Sequence, residues 1–112
     1  MATINLTSDA FDSTVASAEV LFVDFWAAWC GPCQRFGPIF ETASEKNPDI
    51  TFAKVDTDAE QHLSAQLGIQ SIPTLMAFKN GTLVFRQAGA LNGPQFDQLI
   101  TKVKEYQAAP KA

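Results

Sequence analysis

Apolar residues along this chain fall into blocks whose period switches repeatedly between that of a strand and that of a helix. Thr3–Leu6 reads as a short strand. Phe11, Val15 and Ala18 follow at i, i+4 and i+7, a helical spacing, with Thr7, Ser8 or Asp9 able to cap a helix that ends near Ser17. Val20–Ala27 is apolar throughout except for Asp24, which predicts a strand covered on both faces. Gly31-Pro32 opens a helix carrying Phe36, Ile39, Phe40 and Ala43 on one face. Pro32 suits a first helical turn, where its missing N–H costs nothing, and Pro38 is expected to kink the helix interior. Ile50–Asp56 is the next strand. A short helix follows, with Asp58 and Gln61 as a capping pair and Gly68 as its C-terminal residue. Thr74–Phe78 and Leu83–Arg86 flank Asn80-Gly81, and Asn-Gly between apolar runs predicts a tight hairpin because both turn residues need positive φ. Asn92 can cap a last helix with Phe96, Leu99, Ile100 and Val103 on one face. From Gln107 the tail is expected to fray.

Strand, helix, strand, helix, strand, helix, hairpin, helix is an α/β order. It predicts one central five-stranded mixed sheet flanked by four helices, with an antiparallel edge made by the hairpin. The 112 residues fit one domain over 1–112, long enough to bury its own core. Apolar residues at 46% and charged residues at 18% suit a folded chain and exclude a disordered one. The net charge is −4 and the eight basic residues are scattered, so there is no cationic stripe for a phosphate backbone. No apolar run reaches the roughly 18 residues of a membrane span. The first residues carry neither a basic nor an apolar leader segment, so the cytoplasm is the expected compartment.

The two cysteines, Cys30 and Cys33, sit where the buried strand gives way to a helix, in Trp29-Cys30-Gly31-Pro32-Cys33. Two intervening residues in a first helical turn bring the sulfurs within bonding reach. The helix N-terminus favours a thiolate at Cys30, while Cys33, a turn deeper, is expected to be shielded. One pKa unit corresponds to about 1.36 kcal/mol, and a helix terminus supplies about 0.3–1 kcal/mol, or about 2 when partly buried. Hydrogen bonds to Cys30 are therefore needed as well. Three blander readings compete with a redox pair. A structural disulfide closing a loop of about four residues contributes only about 2 kcal/mol. A zinc half-site has only His62 as a further ligand. Chance spacing fits poorly with a proline between the thiols at a strand–helix junction.

The chain resembles the thioredoxin family over about residues 3–106. The resemblance is carried by Val23-Asp24-Phe25-Trp26-Ala27-Ala28-Trp29-Cys30-Gly31-Pro32-Cys33, Ala53-Lys54-Val55-Asp56, Ser71-Ile72-Pro73-Thr74, Phe78-Lys79-Asn80-Gly81 and Ala88-Gly89-Ala90. It implies a thioredoxin fold and a cytoplasmic reductase of protein disulfides. Such a protein acts as a monomer with no bound cofactor, carrying electrons from NADPH through thioredoxin reductase to disulfide-containing targets. Nucleic acid and membranes are not among its partners. On the matching positions Cys30 is the nucleophile and Cys33 the resolving thiol, Asp24 is the family's buried acid and Lys54 its neighbour. Pro73 is the cis-proline beside the disulfide, and Trp29, Gly31, Pro32, Ile72, Ala88 and Gly89 form a substrate-docking rim. Gln34-Arg35 stands where Lys is frequent after the second cysteine, Ala88 where Val or Ile is frequent, and Gly37 where Ala is frequent. These departures bear on partner preference and surface electrostatics, not on the thiol chemistry.

Asp24 carries two readings, a proton acceptor for Cys33 and a hydrogen-bonded structural acid paired with Lys54; burial should raise its pKa in either case. Trp29 is expected at the surface, Trp26 as packing round the site, and His62 in solvent. Two other functions stand against the reductase. An oxidant or isomerase on the same fold would carry a histidine between the cysteines. A non-catalytic binding subunit would use the same rim.

Overall fold

β2 (Val20–Trp26) lies in the middle of a five-stranded sheet and is covered on both faces. The computed structural model describes residues 2–106, so the frayed tail expected from Gln107 lies outside the described residues. The other elements are β1 (Thr3–Asn5), α1 (Ser8–Ser17), α2 (Gly31–Lys46), β3 (Thr51–Asp56), α3 (Gln61–Gln66), β4 (Thr74–Lys79), β5 (Thr82–Ala88) and α4 (Gly93–Glu105). The sheet order is β1-β3-β2-β4-β5. β1, β3 and β2 run parallel, β4 runs antiparallel to β2, and β5 antiparallel to β4.

Alternation along β2 divides the core. Val20 and Phe22 point to the face covered by α2 and α4, while Leu21, Val23 and Phe25 point to the face covered by α1 and α3. The first face is aromatic. The ring of Phe96, from α4, meets those of Phe22, Phe36, Phe40 and Phe52 at centroid distances of 5.3 to 6.3 Å. Such pairs add about 0.5–1.5 kcal/mol each beyond area burial, so α4 is pinned to the sheet through one side chain. The second face is more aliphatic and takes Phe11 from α1 and Leu63 from α3.

Local signals in the sequence set most element ends. Asn92 accepts from the Gln95 N–H at 2.8 Å and its own N–H donates to Gln95 Oε1 at 3.0 Å, a complete capping box. Asn80 (φ 51°) and Gly81 (φ 82°) both occupy the left-handed region the hairpin turn demands. At the end of α3, Gly68 (φ 66°) donates to the Ala65 carbonyl and Ile69 to that of Ser64, closing a Schellman motif. The helix α2 continues through Pro38.

Two caps depart from expectation. Thr7 takes the N-cap position of α1 without a side-chain bond; instead Glu60, from the β3–α3 connection, accepts from the Ser8 N–H at 2.7 Å and the Ser8 hydroxyl at 3.0 Å. Asp58 does not cap α3, whose N-cap position falls on Glu60. Asp56 Oδ1 receives the Asp58 and Ala59 N–H groups, a turn that delays the helix.

Candidate active site

The strand-to-helix junction builds the site. Leaving β2, the chain makes one tight step, with the Cys30 N–H donating to the Ala27 carbonyl at 3.2 Å. Cys30 then occupies the N-cap of α2, and its sulfur accepts the Cys33 backbone N–H at 3.2 Å. Cys33 lies in the first turn, where its N–H has no carbonyl of the helix to pair with and is free to point at sulfur. The cysteines are joined as a disulfide with Cα atoms 5.2 Å apart.

The expected gradient from exposed Cys30 to shielded Cys33 is absent: the two residues are 4% and 5% exposed. Cys30 packs with Ala27, Cys33, Trp26 and Ile72, and the Ile72 carbonyl oxygen lies 3.6 Å from its sulfur. A disulfide sulfur has no proton to donate, so this is a contact that only the reduced thiol turns into a hydrogen bond. What distinguishes the two sulfurs is not exposure. Cys30 receives the helix N–H, whereas Cys33 lines a cleft beneath the helix.

The chain that passes Cys30 on its other side comes from β4 and β5. The Ile72–Pro73 bond is cis. The Gly89 N–H donates to the Pro73 carbonyl at 2.8 Å, and Ala88 pairs with Thr74 across the sheet. Ile72, Pro73, Ala88 and Gly89 thus form one continuous ledge beside the sulfurs, with Gly89 at φ 103°. Trp29 is 71% exposed and its indole N–H donates to Asp58 Oδ2 at 2.9 Å. Asp58 is therefore a rim residue that sequence reading assigned to a helix cap; no local pattern distinguishes the two uses. Gly31 and Pro32 are exposed at the same edge.

Asp24 sits inside the sheet, 1% exposed, in register with Lys54 of β3 and Leu75 of β4. Among the described residues neither of its carboxylate oxygens has a hydrogen-bond partner. Burial pushes its pKa up from 3.8 to about 7, with the Lys54 ammonium pulling the other way. Lys54 is thus the charge that acts on Asp24, as both readings of this acid require. Lys54 extends over Trp26, with Nζ 5.0 Å from the ring centroid. Below the disulfide, an open cleft of ≈ 490 Å³ has Cys33, Trp26, Gly37, Glu41 and Lys54 among its walls. Cys33 and Lys54 therefore share one space. His62 is exposed on α3, and among the described residues no three His, Cys, Asp or Glu side chains gather as metal ligands.

The geometry agrees with what the chain is similar to. A family model described as Thioredoxin matches residues 2–105. A protein of Streptomyces coelicolor named as a thioredoxin is 52% identical over 103 residues, which cover 92% of this chain and 77% of that one. Thioredoxin C-3 of Corynebacterium nephridii is 35% identical over 105 residues, 93% of this chain and 72% of the relative. Among solved structures, Plasmodium falciparum thioredoxin superimposes with a TM-score of 0.81 at 38% identity, covering 89% of this chain and 97% of that one.

Proposed function

The chain belongs to the thioredoxin family and is a thiol–disulfide oxidoreductase, and from that premise we propose how electrons and protons pass through it. In the reduced protein the Cys30 thiolate, held by the Cys33 N–H at the helix N-terminus, attacks a disulfide of a target protein. That S–S bond breaks, a Cys30–target disulfide forms, and one target sulfur leaves as thiolate. Cys33 then gives its proton to the Asp24 carboxylate and attacks the Cys30 sulfur. The mixed disulfide breaks, the Cys30–Cys33 disulfide forms, and the second target sulfur leaves. Two electrons have moved to the target, and solvent protons complete its thiols.

Asp24 fits the acceptor role because a pKa of about 7 keeps it able both to take and to release a proton near neutrality. Lys54 tempers that value through its charge. The ledge of Ile72, Pro73, Ala88 and Gly89, with Trp29, Gly31 and Pro32 opposite, receives an extended stretch of target chain, main chain to main chain. Electrons return from NADPH through a thioredoxin reductase. The protein works as a monomer in the cytoplasm, where the reducing poise keeps the dithiol available.

The observation that carries this reading is the asymmetry of the sulfurs: one caps a helix, the other faces the cleft that holds Lys54. The test is NADPH-coupled reduction of a model protein disulfide with thioredoxin reductase present. Turnover dependent on all three components supports it; no NADPH oxidation above the rate without this protein defeats it.

A further inference from the structure

Cys33, Gly37 and Glu41 stand at i, i+4 and i+8 on α2 and so form one stripe along the helix. All three face the cleft that Lys54 enters from β3. Lys54 reaches the helix at Gly37: a methyl group there would lie 3.8 Å from its Nζ, an ordinary contact distance. Lys54 thus shares a cleft with Glu41 of the helix and acts by its charge on Asp24, its neighbour in register on the sheet.

The carboxylates around Lys54 are not equivalent. Asp56 and Glu60 line a second hollow on its other side. Asp56 is occupied by the Asp58 and Ala59 N–H groups, and Glu60 by Ser8. Glu41 gives only one oxygen to a partner, Oε2, which accepts the Thr3 hydroxyl at 2.8 Å. Its Oε1 is shielded from solvent and has no partner among the described residues. Lys54 in turn has no carboxylate within ion-pair distance, since the pair recorded among the described residues is Lys104–Asp49. Beside Asp24 the other neighbour in register is apolar, Leu75 of β4, and the titratable groups of α2 on this side are Cys33 and Glu41.

We propose that Glu41 is a positioning residue for the exchange site: held by Thr3, its carboxylate draws the Lys54 ammonium outward into the cleft and so limits how strongly Lys54 acts on Asp24. This rests on the reading of Asp24 as proton acceptor only for its kinetic consequence. The electrostatic effect itself is independent of that reading. Removing the Glu41 charge lets Lys54 settle nearer Asp24 and removes a like charge from its surroundings, and both effects favour the Asp24 carboxylate.

The experiment follows the Asp24 carboxyl by NMR titration in the reduced protein, alongside the pH profile of the resolving step. In Glu41→Gln, the Asp24 midpoint moves to lower pH by about 0.5 unit or more, and the pH profile moves with it. In a Lys54→Met background the same Glu41→Gln change moves the midpoint by less than half as much. Thr3→Val, which keeps the charge, separates loss of the Thr3 bond from loss of the charge and leaves most of the midpoint in place. Thermal melts confirm that each variant is folded; Glu41→Asp serves if the glutamine variant is not, with a smaller shift expected. An unchanged midpoint in folded Glu41→Gln overturns the proposal, as does a full shift in the Lys54→Met background. A midpoint that moves while the resolving step does not would leave Glu41 in place and defeat Asp24 as proton acceptor instead.

Discussion

The two sides of the disulfide are built from different materials. On one side lie backbone and exposed surface: the ledge of Ile72, Pro73, Ala88 and Gly89, tied by the Gly89–Pro73 hydrogen bond, and across from it Trp29, Gly31 and Pro32. On the other lie three charged groups, the buried Asp24 and the half-buried Lys54 and Glu41, arranged by strand register and a helical stripe. The cysteines are equally buried between them. The lesson is that the sulfurs are told apart by which side each serves, with accessible area playing no part. On the proposed mechanism, docking geometry and proton chemistry can then be altered separately.

The sharpest way to break this comparison is at the sulfurs. Cys33→Ser is expected to accumulate a covalent complex with target protein, held through Cys30 and visible on a non-reducing gel. Cys30→Ser is expected to lose exchange entirely. Trapping through Cys33 in Cys30→Ser would exchange the roles of the two sides.

The next largest effect belongs to the buried side. The folded protein keeps the Asp24 proton up to about pH 7, whereas the unfolded chain releases it near 3.8. Stability is therefore lost as pH rises through that window, by about 4 kcal/mol once Asp24 is fully ionised. An asparagine carries no such penalty but buries an amide, at about 1–3 kcal/mol. Urea titrations of Asp24→Asn should show a net gain of about 2 kcal/mol at pH 9 that turns into a net loss of about 1–2 kcal/mol near pH 4, where the amide cost remains and the charge penalty has nearly gone. Its resolving step should be at least about tenfold slower at pH 7, with the defect shrinking at higher pH as the thiol ionises unaided. Equal stabilisation at pH 4 and pH 9 would remove the charge from the account.

On the exposed side a smaller, different signature is expected. Trp29→Ala removes aromatic contact area worth about 0.5–1.5 kcal/mol, so KM for a protein disulfide should rise about twofold to tenfold at unchanged kcat. Its stability should stay within about 0.5 kcal/mol of the parent, because the ring is mostly in solvent. A fall in kcat alone would place Trp29 in the chemistry. The least effect is expected from a control that serves neither side. Asn92→Ala opens the α4 capping box and should cost about 1 kcal/mol in a thermal or urea melt, with exchange kinetics unaltered.

Much of this architecture could be read before any coordinates, for reasons that differ residue by residue. The hairpin at Asn80-Gly81, the box at Asn92 and the end of α3 at Gly68 are written locally, because each depends on the conformational freedom or hydrogen bonding of two to four successive residues. The thiol pair was legible for the same reason, since one helical turn spans it. Asp24 announced itself as a lone acid in an apolar strand. The ledge was legible only through family resemblance, because no local pattern links Ile72 and Gly89 to Cys30. Asp58 was misplaced, since a short acidic side chain before a helix has two uses and the choice of Trp29 is made by the fold. No local pattern marks Glu41, because the cleft it lines is closed by a strand and not by its own helix.

By itself, then, the sequence determined the order of the elements and several of their ends, the buried faces, and the thiols at a helix start, because these follow from periodicity and short-range hydrogen bonding. The tertiary structure alone decided that both sulfurs are covered alike, that Glu60 caps a helix 52 residues away, and which carboxylate shares a cleft with Lys54. Those outcomes depend on how separate strands and helices are brought together, and on how burial changes the energy of a charge, which no window of neighbouring residues contains.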